Sequence, residues 1–304
     1  MSGFGEPEVV ASGLRFPEGP VPMADGSVLL VEIARGTLTR VAADGSLTVV
    51  ADLGGGPNGL ALGPDGAAYV CNNGGFQWVE AGPLLFPGHA AHDAACGSIQ
   101  RVDLVTGAVT TLYDHFEGEA LKGPNDIVFD GEGGFWFTDH GQVRARGRDH
   151  GAIYYARADG SHISRQRAEV MGPNGIGLSP DGRTLYVSET MTARVWAMDV
   201  VAPGELAPPG AWSPGRYVGT PPAFRLLDSL AVEESGRICV GTMVEGGITI
   251  FDPEGGASDF LPLPDIGITN IAFGGADRRD AYITASTTGT LYRVRWPRPG
   301  LALR

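Results

Sequence analysis

The sequence predicts an all-β chain, a single domain over residues 1–304 folded as a six-bladed β-propeller with four antiparallel strands per blade. Three observations carry that expectation. One segment recurs along the chain, each copy reads as a β-hairpin, and helical periodicity is nearly absent.

The recurrence is plainest in GPNGLALGPDGAAYVCNN from Gly56, GPNDIVFDGEGGFWFTD from Gly123 and GPNGIGLSPDGRTLYVSE from Gly172. Each contains a turn, an alternating apolar strand, a Pro/Gly/Asp turn, and a second strand rich in aromatic and β-branched residues. Weaker copies begin at Arg15, Leu226 and Gly267 and complete a set of six. The copies recur about every 40 to 65 residues, a period suited to propeller blades. A second strand pair follows each hairpin, as in GTLTRVAADGSLTVVADL from Gly36 and GSIQRVDLVTGAVTTLYD from Gly97. Four-stranded units repeated around an axis leave only short, protected sheet edges.

Composition narrows the function classes. Hydrophobic residues make up 43% and charged residues 19%, as in globular proteins with a sizeable core. The net charge of −13 offers no basic face, so neither nucleic acid nor an anionic membrane is an expected partner. Cys71, Cys96 and Cys239 are odd in number and lack paired spacing, which points to reduced thiols rather than disulfides or zinc. With no leader-like start and no run of 18 apolar residues, a cytoplasmic location is expected. Oligomeric state is not legible.

The repeat places Glu18, Asn58, Asn125, Asn174, Asp228 and Asn270 at equivalent positions, each opening an innermost strand toward one end of the central tunnel. All six offer oxygen donors, which suit a hard divalent cation. Ca²⁺ is expected first, ahead of Mg²⁺, Mn²⁺, Zn²⁺ or Fe²⁺. Asn is also what a turn favours, but Glu18 and Asp228 break the turn consensus with acids. Two carboxylates converging on an axis would repel and be costly to desolvate without a cation between them.

The motifs FPEGP at 16–20, GPNDIVFD at 123–130, GPNGIGLSPDGRTLYVSE at 172–189, LLDSLAV at 226–232 and TNIAFGG at 269–275 form an ordered set over essentially the whole chain. With them the sequence resembles the regucalcin (senescence marker protein), gluconolactonase and luciferin-regenerating enzyme family, and more distantly the squid-type diisopropyl fluorophosphatase. The resemblance implies metal-dependent hydrolysis, commonly of lactones. By motif, Glu18, Asn174 and Asp228 match metal ligands, and Asn125 matches a further ligand or a substrate-positioning residue. Gly123 stands where sugar-lactonase members often carry Arg, a departure that weakens the case for an aldonolactone and leaves a small lactone, sugar or acidic, as the expected substrate. No His beside Asn270 matches a second metal site. Asn58 and Asn270 are left to turns or to contacts behind the metal.

The expected reaction is lactone or ester hydrolysis, with Asp228 either deprotonating water or attacking directly, and Asn125 assisting. A phosphotriesterase and a non-catalytic calcium- or partner-binding propeller are the alternatives. Around the site, Glu32, Asn72, Asp139 and Glu189 end the second strands and are expected to form a polar rim for substrate hydroxyls. Residues 74–96, with Phe76, Trp78, Phe86, His89 and His92, read as a lid or as a surface loop packed on neighbouring blades. The insertion from Asp139 carries Arg144, Arg146 and Arg148, either solvated or binding a substrate carboxylate; Arg144 is the candidate carried forward. The Pro-rich segment from Val201 is expected on the opposite face, without chemistry.

Overall fold

In a computed structural model, which describes residues 3–91 and 96–302, the chain forms six antiparallel sheets around an axis, with no helix among the described residues. His92 lies outside the described residues. Blade one holds strands Pro17–Pro22, Val28–Glu32, Thr37–Val41 and Leu47–Asp52. Blade two holds Pro57–Leu62, Ala68–Asn72, Ser98–Val102 and Val109–Tyr113. Blade three follows with Pro124–Phe129, Gly134–Asp139, Gly151–Arg157 and Ile163–Val170. In blade four, strands Pro173–Leu178, Thr184–Glu189 and Arg194–Ala202 carry an outer edge split between Glu205–Leu206 and Arg216–Gly219. Blade five comprises Leu226–Val232, Ile238–Met243, Gly247–Phe251 and Ala257–Pro262.

Blade six closes the ring with strands from both ends of the chain. Ile268–Gly274, Asp280–Ala285 and Thr290–Arg295 are completed by Glu8–Ala11, which pairs with Thr290–Arg295. Glu8–Ala11 supplies the outer edge of blade six, and every innermost strand touches the innermost strands on both sides.

The apolar cores lie between blades. Each neighbouring pair shares its own cluster. Between blades two and three it is built on Tyr69, Phe129, Phe135 and Phe137; between three and four, on Trp136, Tyr155 and Trp196. Strand alternation accounts for this: the two faces of a blade pack on different neighbours, so Trp136 and Phe137 point to opposite sides. Both faces are therefore apolar, and the central strands read as nearly continuous hydrophobic runs such as FWF and LLV.

The tight turns match the repeated Asp-Gly signals. At the turn of blade two, Asp65 Oδ1 accepts a hydrogen bond from Ala67 N, and Gly66 has φ of 73°, a conformation that a side chain disfavours. The Pro-rich segment of blade four departs from expectation. It folds back against the outer strand of blade three, where the buried Arg167 donates to the carbonyls of Pro214, Gln166 and Ala207.

On the face opposite the tunnel mouth, the C-terminal segment reaches back to blade five. Trp296 Nε1 donates to Glu233 Oε1 at 2.8 Å, and Arg298 grips both oxygens of that fully buried carboxylate. Burial acts to raise Glu233, but Arg298, Trp296 and Ser235 outweigh it and hold the acid below its ordinary value. A depressed carboxylate stabilises the fold above its unfolded pKa, and that contribution is lost as pH falls through the folded value. Arg298→Met should leave Glu233 buried without its counter-ion and cost about 3 kcal/mol of stability. Denaturant unfolding of the two proteins at pH 7 checks the cost.

Candidate metal and catalytic site

Every innermost strand carries the same irregularity at the tunnel mouth. Pairing with the second strand shifts between Glu18 and Val21, Pro57 and Leu60, Pro124 and Ile127, Pro173 and Ile176, Leu227 and Leu230, and Ile268 and Asn270. Each inner strand thus has one residue more than its partner. Such a bulge bends the strand and re-aims the side chains within it. The residues re-aimed are Glu18, Asn58, Asn125, Asn174 and Asp228, as expected from the repeat.

The sixth position differs from the expectation. Ile268 pairs with Ala285 and Ile271 with Ile283, which aligns Thr269, not Asn270, with Asn174. Asn270 falls one residue later, at the level of Gly19, Gly59, Asp126, Gly175 and Ser229. The motif was read one residue out of register because Asn is the more conspicuous donor.

At that inner level three positions are glycine and three are polar. A Cβ on Gly59 would lie 2.4 Å from Asn125 O, and one on Gly175 would lie 2.5 Å from Leu230 N. Glycine there lets adjacent inner strands approach closely. Hydroxyls lock the approach from outside: Thr138 donates to Asn174 O at 2.6 Å, and Ser188 to Asp228 O at 2.6 Å. Both belong to the second strand of the preceding blade. The backbones of Asn174 and Asp228 are therefore each fixed by the preceding blade.

The side chains at the mouth are almost all buried. Glu18 is 2% exposed; its Oε2 accepts from Gly19 N and from Asn270 Nδ2, each at 2.7 Å. Asn174 donates to Thr190 Oγ1 at 3.0 Å and accepts from Ser229 Oγ at 3.3 Å. Among the described residues, the buried oxygens left without a hydrogen-bond partner are Glu18 Oε1 and Asn125 Oδ1. Both belong to residues that the sequence nominated as ligands.

Asp126 is the residue that sequence reasoning missed. It is buried, and burial together with the charge of Glu18 pushes its pKa up to about 7. Burial also raises Glu18, and it raises Asp228 well above the ordinary range, reinforced by the charges of Glu18 and Asp126. The available signal was GPND in blade three against GPNG in blades two and four. Three carboxylates thus lie within one another's field, and Asp228 alone keeps part of its surface open.

The column at the ends of the second strands exists, with a different role. Glu32 Oε2 accepts from Arg15 N, Asn72 Oδ1 from Gly56 N, Asp139 Oδ1 and Oδ2 from Gly123 N and Lys122 N, and Glu189 Oε1 from Met171 N. Each staples the incoming connection just before its blade's inner strand. Glu32 also accepts from Thr39 and pairs with Arg35; Asp139 also accepts from Gly141 N. Their hydrogen-bonding capacity is taken up by the chain itself, which leaves little for substrate hydroxyls.

Two insertions stand over the same face. The hairpin Phe76–Ala81 and Leu84–Ala90 leaves blade two and lies across blade one, where Trp78 packs on Phe16 with ring centroids 5.2 Å apart. Its tip reaches blade six, where Leu85 N donates to Thr287 O at 2.9 Å. Trp78 is therefore an anchor of this cover, two residues in sequence from Glu18 through Phe16. In the second insertion, Arg144 pairs with Asp149 at 2.9 Å, which answers its charge locally.

The model of the SMP-30/gluconolactonase/LRE-like region matches residues 16–287. The chain belongs to that family. A gluconolactonase of Zymomonas mobilis is 25% identical over 313 aligned positions, covering 95% of this chain and 80% of the relative. The diisopropyl-fluorophosphatase of Loligo vulgaris is 28% identical over 198 positions, 60% of each chain. Among solved structures, a gluconolactonase from Xanthomonas campestris superposes with a TM-score of 0.76 at 22% identity, over 97% of this chain and 90% of that one. The calcium-binding protein regucalcin of Agrobacterium tumefaciens gives 0.75 at 18% identity, over 98% of both chains. These likenesses are those of fold; within the family, the chemistry of this member rests on its own site.

The acids set a pH dependence for the cation-free protein. Asp126 keeps its proton in the folded state up to about pH 7, whereas unfolded Asp ionises near 3.9, so stability is lost as pH rises through that window. In chelator, Asp126→Asn should therefore gain melting temperature over the parent at pH 7.5 and much less at pH 5. A difference that does not change with pH would remove Asp126 from the coupled set.

Proposed function

We propose that the protein is a metal-dependent lactone hydrolase whose divalent cation, Ca²⁺ first, is held by Glu18, Asn125, Asn174 and Asp228. The observation that carries this is the pair of unpartnered buried oxygens, Glu18 Oε1 and Asn125 Oδ1, beside the buried Asp126 and the half-buried Asp228. A buried acceptor without a donor is costly, and oxygen donors around surplus negative charge fit a hard cation. The family and the gluconolactonase and lactonase relatives support lactones as substrates.

When bound, the cation would polarise the substrate carbonyl as a Lewis acid. The remaining work falls to the chain. Asn270 and Gly19 hold Glu18 through one oxygen and leave the other facing the centre. Ser229 orients the Asn174 amide, whose nitrogen is fixed on Thr190. Asp228 is the acid with open surface, and its carboxylate is the group placed to take a proton from water. Water oxygen then bonds to the carbonyl carbon, the ring C–O bond breaks, and the departing alkoxide takes a proton to give the hydroxy acid. Direct attack by Asp228 on the carbonyl carbon, with the ring oxygen leaving as alkoxide, gives the same product through a mixed anhydride with the enzyme that water then hydrolyses, and single-turnover ¹⁸O labelling separates the two routes.

The fluorophosphatase relative supports a second reading, in which a phosphoryl oxygen replaces the carbonyl at the same site. Proton release from γ- and δ-lactones and one organophosphate, each with chelator and with Ca²⁺, decides between them. Lactone turnover should depend on Ca²⁺ and should fall at least about a hundredfold in both Glu18→Gln and Asp228→Asn. Unchanged rates in both variants would sink the proposal.

A further inference from the structure

We propose that Arg148, laid over Gly172 at the tunnel mouth between blades three and four, binds a carboxylate carried by the substrate. The inference rests on the hydrolase reading, and names the substrate class as an acidic lactone or ester.

Arg148 differs from the other basic residues of its insertion. Arg144 is paired with Asp149, and Arg146 is exposed. Arg148 is half-buried, no carboxylate pairs with it among the described residues, and its Nε is buried without a partner. Its Nη2 has only long contacts, to the His140 ring nitrogens at 3.4 and 3.5 Å and to His140 O at 3.4 Å. The buried Arg167 shows the contrast, since three backbone carbonyls take up its guanidinium. Arg148 is held in place without being neutralised, and burial works against its charge. A planar fork in that condition suits a bidentate carboxylate.

Its position relative to the axis follows from Gly172. That residue has φ of 67°, and a Cβ there would lie 2.5 Å from Arg148 Nη2 and 3.1 Å from His140 Nε2. Glycine therefore makes the cradle in which the guanidinium lies. Asn174 follows two residues later, so its Cα is at most about 7.6 Å from that of Gly172. His140, in turn, hangs from blade three: its N donates to Gly123 O at 2.8 Å, two residues before Asn125. The guanidinium thus lies against Gly172, two residues before Asn174, and against His140, whose backbone is bonded two residues before Asn125.

Among the described residues, the hairpin of blade two lies over blades one and six and touches Val143–Arg144 of the blade-three insertion, whereas blades four and five connect their second and third strands through only residues 190–193 and 244–246. A substrate entering on that side meets Arg148 at the edge of the path to Asp228.

The test is equilibrium binding, read apart from turnover. Calcium-loaded protein is titrated calorimetrically with glutarate and with neutral dimethyl glutarate. The parent should prefer the diacid, and Arg148→Ala should reduce that margin about tenfold or more, the scale of a charge-assisted pair. Arg148→Lys, which keeps the charge and loses the fork, should retain an intermediate margin. A margin in Arg148→Ala within twofold of the parent's, or no margin in the parent, overturns the proposal. Loss of lactone turnover with the Arg148-dependent margin intact would count against the hydrolase reading alone.

Discussion

Three carboxylates buried within one another's field are the constraint around which the molecule is arranged. Glu18, Asp126 and Asp228 come from blades one, three and five, so their repulsion acts across the whole ring. Holding them together requires rigid backbones at every inner strand. The shared bulges, the glycines that let strands touch, and the hydroxyls of Thr138 and Ser188 all serve that end. The interblade cores fix the wedges from outside, so strain at the axis is borne by six apolar interfaces rather than by loops.

The face that bears the site is asymmetric although the ring beneath it is nearly regular. Blades two and three carry the insertions, and blade two's hairpin is tied down at Phe16 and Thr287. Aromatic contacts hold the hairpin on one side, and a backbone hydrogen bond holds it near its tip. The proposed approach of the substrate lies beside the short connections of blades four and five, with Arg148 and His140 of the blade-three insertion at its edge.

Much of this was legible in the sequence, for physical reasons that also mark where legibility ended. A propeller repeats its hairpin turns, and turns have strong residue requirements, so the six units and their direction could be read from Pro, Gly and Asn alone. Glu18 and Asp228 stood out because they break a turn consensus with charge. Asp126 did not, since Asp is at home beside a turn and only the burial that folding imposes makes it unusual. Asn270 was placed one residue early, because its amide matches the Asn of the other blades whereas the equivalent residue here is Thr269. Glu32, Asn72 and Asp139 were correctly seen as a column, but their partners are backbone N–H groups about 16 residues upstream, and sequence carries no sign of such pairings.

The bond between Asn270 and Glu18 joins residues 252 apart, and Ser286 reaches back to the carbonyl of Pro17. Loops of that length close late, because their entropy must be overcome before the contact rewards it. On a ribosome, Glu18 emerges 252 residues ahead of its holding partner. Without blade six, most of the cores would remain, yet Glu18 would lack the amide that holds it. Closing blade six onto blade one is thus also the step that organises the acid at the tunnel mouth.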